Sequence, residues 1–217
     1  MKAINSYIAE KFQVSKDYKR QYAYTPKDKK ELIQCIKEKI EQYGLGTKNK
    51  PLDLNDIDTS MITDMSHLFD VDYEEMAKLS LNGYFDISDW NVSNVKTMRS
   101  MFYNSKFNGD ISDWDVSNVE IMYFMFGKSN FDGDLSYWNV SNVKEMNYMF
   151  YYSKFTGKNG DISGWDVSSV TNMKAMFAGS NFDTDLSNWD VSNVEYITGM
   201  FTNCPLKNNL PKWYKRK

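Results

Sequence analysis

The sequence predicts an α/β repeat solenoid, a right-handed coil of short parallel strands and short helices closed at its N-terminal end by a helix. Three observations predict it. A phrase of about two dozen residues recurs, and its clearest copy runs from Phe107 to Lys128 as Phe-Asn-Gly-Asp-Ile-Ser-Asp-Trp-Asp-Val-Ser-Asn-Val-Glu-Ile-Met-Tyr-Phe-Met-Phe-Gly-Lys. Every tryptophan of the chain (Trp90, Trp114, Trp138, Trp165, Trp189, Trp213) holds the same place in that phrase, at steps of 24, 24, 27, 24 and 24 residues. Aligned copies also bring their apolar residues into register. Self-similarity at a fixed period of this size marks an array in which each coil buries its apolar face only against its neighbours.

In chain order, residues 1–51 form a basic N-terminal segment. Residues 1–24 admit a short helix over Ile4 to Phe12 and no firmer assignment. Residues 26–43 predict an amphipathic capping helix: Thr25 suits the N-cap and Pro26 the first helical position. Leu32, Ile33, Ile36, Ile40 and Tyr43 follow at helical spacing, and Gly44 suits the stop. Such a helix covers the open end of the array, because an uncovered coil leaves a core face in water.

Residues 52–206 are the array. The first copy, 52–69, is degenerate; aligning Met65 with Met98 sets Ile57 where Trp90 stands and Leu68-Phe69 where Met101-Phe102 stand. Insertions at Asp70–Leu79 and Gly157–Gly160 interrupt the period and read as loops. Residues 207–217 hold a last partial repeat and a basic tail. One apolar column is Phe69, Phe102, Phe126, Phe150, Phe177 and Phe201. Two further columns place methionines at 65, 98, 122, 146 and 173 and at 101, 125, 149, 176 and 200. The unbranched thioether fills irregular gaps, so these methionines are expected in the core.

Within a copy, Val95-x-x-Met98-x-x-Met101-Phe102 has the spacing of a short helix, with Ser93 and its equivalents as N-caps. The half that runs Phe107 to Trp114 reads as a turn and a short strand, and such strands pair in parallel from coil to coil about 4.8 Å apart.

Charge is unevenly distributed. Residues 1–51 carry 12 Lys/Arg against 6 acids, residues 52–206 carry 9 against 23, and residues 207–217 carry 5 against none. The acidic array argues against a nucleic acid partner, since Lys/Arg neutralisation of phosphates dominates that binding. Cys35 and Cys204 lie at opposite ends and are expected to be small buried hydrophobes, not a disulfide. With His67 the sole histidine, no zinc ligand set assembles. No apolar run is long enough to span a bilayer, and the first 25 residues show no signal-peptide apolar stretch.

The phrase Asp-Ile-Ser-x-Trp-Asp-Val-Ser-Asn-Val-x-x-Met-x-x-Met-Phe resembles the repeats of BspA-type leucine-rich-repeat surface proteins, also met as the mycoplasma lipoprotein-associated repeat. Asp56-Ile57-Asp58-Thr59-Ser60-Met61-Ile62-Thr63-Asp64-Met65 is similar to the opening repeat of that family. The resemblance covers Leu52 to Leu206. It implies a leucine-rich-repeat-like coil, a role in adhesion or protein recognition, and a bacterial cell-surface or secreted location. It supplies no catalytic residue. A cytoplasmic location stays open beside the surface one, because no leader is visible in the chain.

Three functions are weighed. In a binding module without catalysis, recognition falls to positions that differ from copy to copy. These gather Arg99, Tyr103, Tyr123, Phe124, Tyr148, Tyr151 and Tyr152 into a candidate surface for a protein ligand, tyrosine offering large area with a polar tip. The alternative for these rings is packing between coils. In a calcium-stabilised structural array, the column Asp86, Asp110, Asp134, Asp161 and Asp185 supplies oxygen ligands. Like charges one coil apart repel by about 1 kcal/mol in water, so a cation or backbone N–H groups must answer them. The free exchange of Asp and Asn at 91, 115, 139, 166 and 190 favours Asx-type turns. An enzyme is disfavoured, because each acid belongs to a repeating column and no nucleophile triad, phosphate loop or metal motif is present. No cofactor is expected. An intracellular interaction protein or effector is the remaining alternative.

Overall fold

The computed structural model describes residues 21–79, 81 and 83–214; the helix expected over Ile4 to Phe12 lies outside them. Helix α1 spans Lys29–Tyr43. It starts later than Thr25-Pro26 would place it, because Asp28 is the stronger cap. The Asp28 carboxylate accepts the Glu31 N–H at 2.9 Å, and the Glu31 carboxylate accepts the Lys27 N–H at 2.9 Å. Gly44 ends the helix at φ 74°, its N–H donating to Ile40 O. Leu32, Ile33 and Ile36 are buried in the same core as Leu54, Ile57, Met65 and Leu68. Lys29 and Lys39 tie the helix down, Lys29 to Asp64 and the Ser66 carbonyl and Lys39 to both oxygens of Asp56 at 2.9 Å.

Beyond α1 the chain returns to equivalent partners once per repeat. Parallel bridges link Asp64, Thr97, Ile121, Glu145, Asn172 and Tyr196 in succession. The 33-residue first step and the 27-residue fourth step agree with the alignment of Met65 with Met98 and with the insertion at Gly157–Gly160. Within the first insertion a short helix, α2 (Glu74–Ala77), buries Met76.

The local elements differ from those the spacing predicts. Residues 95–105 and their equivalents are not helical; they run as consecutive turns. Met101 N–H donates to Met98 O and Ser105 N–H to Phe102 O, each turn closing on a residue at positive φ, Ser100 at 51° and Asn104 at 52°. The alternate donors Met98, Ser100, Phe102 and Asn104 instead reach carbonyls of the next repeat, at Ile121, Tyr123, Met125 and Gly127, over 2.8–2.9 Å. This arrangement satisfies alternate N–H groups within the turn and across the layers. The parallel pairing therefore lies in the segment expected to be helical. In the Phe107–Trp114 half, pairing of strands is confined, among the described residues, to β1 (Leu52–Asp53) and β2 (Phe85–Asp86).

Elsewhere that half is held by side chains. Each tryptophan indole donates to a carbonyl one repeat earlier: Trp90 to Leu54, Trp114 to Ile87, Trp138 to Ile111, Trp165 to Leu135, Trp189 to Ile162 and Trp213 to Leu186, at 2.8–3.1 Å. A parallel row of asparagines (Asn94, Asn118, Asn142, Asn193) donates to serine carbonyls of the preceding repeat. The core between the two halves is a stack of rings. Phe69, Phe102, Phe126, Phe150, Phe177 and Phe201 follow at 5.5–6.0 Å with interplanar angles of 2–13°. Phe107, Phe131, Phe155 and Phe182 wedge against them at 4.1–4.7 Å. The ten column methionines are fully buried, so they are core residues.

Candidate functional site

Two surfaces carry the residues singled out by sequence, and they behave differently. The acidic columns are internally satisfied. In each copy the Asp accepts the backbone N–H of the Ser two residues on: Asp86 from Ser88, Asp110 from Ser112, Asp134 from Ser136, Asp161 from Ser163 and Asp185 from Ser187, at 2.8–3.0 Å. Asn91, Asp115, Asn139, Asp166 and Asp190 do the same for Ser93, Ser117, Ser141, Ser168 and Ser192. These are Asx turns, so the serines expected to cap helices serve instead as donors to the preceding acid. The bonds from Ser112, Ser168, Ser187 and Ser192 hold Asp110, Asp166, Asp185 and Asp190 below the ordinary carboxylate range. Among the described residues no cluster of three or more His, Cys, Asp or Glu forms that could hold a metal ion.

The aromatic candidates converge. Phe124 is the hub, stacked on Tyr148 at 4.6 Å and 10°, with Tyr103, Tyr123 and Tyr151 edge-on to it at 5.3, 4.7 and 5.8 Å. Tyr148 meets Tyr151 at 5.4 Å, and Tyr151 meets Tyr152 at 4.6 Å. Gly127 makes room for this packing, since a Cβ there would stand 2.7 Å from the Phe124 ring and 3.0 Å from that of Tyr103. The rings remain partly exposed, Tyr152 most of all at 55%. The rings thus pack from repeat to repeat and still face solvent.

Cations complete the face. The Arg99 guanidinium lies 5.0 Å from the Tyr123 ring centre, the Lys128 ammonium 5.2 Å from that of Tyr103, and the Lys174 ammonium 5.9 Å from that of Tyr148. Hydrogen bonding to Tyr103 raises the Lys128 pKa. Among the described residues no carboxylate forms an ion pair with these three, although the array around them is strongly acidic. The surface read from sequence included Arg99 and left out Lys128 and Lys174. Their signal was present, since both stand in columns that change from copy to copy.

The backbone under this face is costly for large side chains. Phe124 and Tyr148 share one positive-φ column with His67, Ser100, Ala175 and Gly199, and Tyr152 shares a second with Asn104, Lys128, Gly179 and Asn203. An L side chain in the left-handed region costs about 1–2 kcal/mol, and glycine avoids that cost. The presence of Gly199 and Gly179 in these columns demonstrates that the fold accepts glycine there. Aromatic residues at 124, 148 and 152 are therefore not what the backbone prefers.

The remaining reactive groups are quiet. Cys204 is buried and Cys35 half-buried, both free, and burial pushes both thiols up. His67 Nδ1 lies 2.7 Å from Asp70 and its ring stacks on Tyr73. Among the described residues no helix is long and apolar enough to cross a membrane.

The family described as Mycoplasma protein of unknown function, DUF285, matches residues 39–158 and, a second time, residues 152–217. No curated protein and no solved structure matches the chain.

Proposed function

Because the chain belongs to the Mycoplasma protein family of unknown function DUF285, we propose that it is a recognition module without catalytic activity, a leucine-rich-repeat-like right-handed solenoid that binds a protein ligand at the bacterial surface. The face built by Arg99, Tyr103, Tyr123, Phe124, Tyr148, Tyr151 and Tyr152, with Lys128 and Lys174, is its contact surface. One observation carries the reading. Large aromatic side chains occupy backbone positions that disfavour them, in the columns that vary between copies, and remain partly exposed beside the cations of Arg99, Lys128 and Lys174. Aromatic residues and arginine dominate the energetics of protein interfaces, and strain at a surface is a pointer to function. The Asx turns answer the acidic columns without a cation, which leaves the calcium-stabilised alternative without support.

The experiment has two arms. Surface proteolysis of intact cells against cytosolic fractions locates the protein; degradation in intact cells is the expected result. Affinity capture with the wild-type chain and with a Tyr123→Ser, Tyr148→Ser variant, compared by mass spectrometry, tests the face. The reading requires a partner that the folded variant loses. Identical capture by both chains refutes the assignment of the face.

A further inference from the structure

At the C-terminal end of the stack, away from the aromatic face, a row of backbone donors lacks the partner that every earlier row has. In each inner repeat four alternate N–H groups donate to the next repeat. The last set to do so is Met173 to Tyr196, Ala175 to Thr198, Phe177 to Met200 and Gly179 to Thr202, at 2.7–3.1 Å. The corresponding donors one repeat later are Ile197, Gly199, Phe201 and Asn203, and among the described residues none of these four N–H groups meets an acceptor. Their neighbours Met200, Thr202 and Cys204 still close their turns. The row is thus in its paired conformation without its partner. Backbone donors of this kind are rarely left so, above all at Phe201, whose residue is only 2% exposed.

The apolar cover thins at the same place. Val191, Val194 and Ile197 are only partly buried, whereas Val92, Val95 and Met98, their counterparts in an inner repeat, are 0–2% exposed. Beside the row lies a recess of about 370 Å³ whose lining includes Thr198, Gly199, Phe201, Lys207, Leu210 and Tyr214. It joins hydrogen-bond donors, an apolar floor and a lysine.

The geometry of the other end narrows the occupant. There α1 covers the first repeat, Lys29 donates to the Ser66 carbonyl and Tyr24 bridges to Ile57. Head-to-tail stacking of two copies therefore meets a closed face. Tail-to-tail stacking sets donors against donors. An added extended segment, with alternate carbonyls at the repeat's own spacing, satisfies the row. The charge of the end then sets its character, since Lys207 and Lys212 are the charged residues among the described positions 207–214 and both are cations. We propose that this end binds an extended, acidic and apolar peptide segment as one further layer, its carbonyls accepting from Ile197, Gly199, Phe201 and Asn203 and an apolar side chain entering the recess. Strand addition to an open backbone edge is an established mode of peptide recognition.

Amide hydrogen exchange on the whole chain, read residue by residue, tests this. The probe is a synthetic peptide with the sequence of residues 117–127, which carries Glu120 and the apolar pattern of the repeat. In the free chain the four amides should exchange at least about tenfold faster than those of Met173, Ala175, Phe177 and Gly179. Saturating peptide should slow them by at least about tenfold, and a scrambled peptide should not. Charge reversal at the exposed Lys212, Lys212→Glu, should weaken binding of the acidic peptide while the chain keeps its wild-type circular dichroism spectrum. Protection of the four amides in the free chain at every protein concentration overturns the proposal, since another acceptor then holds them. So does exchange that the peptide leaves unchanged. Protection that follows the chain's own concentration, without peptide, also overturns it in favour of self-association.

Discussion

Replacing Trp138 with phenylalanine isolates the bond that joins one repeat to the one before it. Trp138 is 3% exposed, its indole N–H donates to Ile111 O at 3.0 Å, and its ring stacks on Trp114 at 6.4 Å and 6°. Phenylalanine keeps a buried ring and removes the donor. The net loss of one hydrogen bond is about 1 kcal/mol. Ile111 O also accepts the Trp114 N–H at 3.3 Å, so the carbonyl is not orphaned and the larger penalty for an unpaired buried acceptor does not apply. The smaller ring leaves roughly 40 Å³ unfilled, which at about 24 cal/mol per Å³ adds about 1 kcal/mol. The expected destabilisation is therefore about 2 kcal/mol, against about 3–5 kcal/mol for Trp138→Ala. Urea unfolding followed by far-ultraviolet circular dichroism measures it, with the m-value unchanged. A loss below about 0.5 kcal/mol, the lower limit for one such bond, refutes the claim that the indole row joins the repeats.

Other consequences follow from the same contacts. Tyr152→Gly removes a strained left-handed residue, worth about 1–2 kcal/mol, and one ring pair, worth about 0.5–1.5 kcal/mol; thermal unfolding should place the variant within about 1 kcal/mol of wild type. Acid should destabilise the chain through the Asx turns. Asp110, Asp166, Asp185 and Asp190 have depressed pKa values when folded, so their contribution is present above the unfolded carboxylate pKa and is lost as pH falls through the folded one. Ser168→Ala should flatten that loss in a pH series of melts. Melting curves in EDTA and in excess calcium should superimpose; a rise of several degrees with calcium would restore the cation reading of Asp110, Asp134, Asp161 and Asp185.

The repeat, its register and its core columns were legible because identical layers require identical residues, and the columns of Phe, Met and Trp carry that requirement openly. The Asx turns were legible too, since Asp and Asn exchange freely two residues before a serine. The short helix was misread for a physical reason. Apolar residues three and four apart mark one face of a helix, but consecutive turns closing over three residues set side chains inward at the same spacing. The distinguishing sign was faint: glycine at 199 and 179 and asparagine at 104 and 203 mark left-handed positions, and aromatic residues elsewhere in those columns hide it. The strand expectation held only for β1 and β2; in the later copies the indole bond joins the layers without paired strands, and composition does not announce which group will bridge two layers. At the candidate site, the variable columns supplied rings that meet one another around Phe124. Lys128 and Lys174 were left out because a lysine in a variable column reads as an ordinary solvated side chain until the ring beneath it is known.

The central claim is that the constant residues build the stack and the changing ones recognise a partner. The most direct measurement is paired unfolding and partner binding of the Tyr123→Ser, Tyr148→Ser variant beside Trp138→Phe. The account predicts that the tyrosine variant keeps the wild-type circular dichroism spectrum and a cooperative transition, losing a few kcal/mol at most from its ring pairs, while partner binding disappears. Trp138→Phe should lose stability and, while still folded, bind normally. An unfolded tyrosine variant, or undiminished binding by it, contradicts the account.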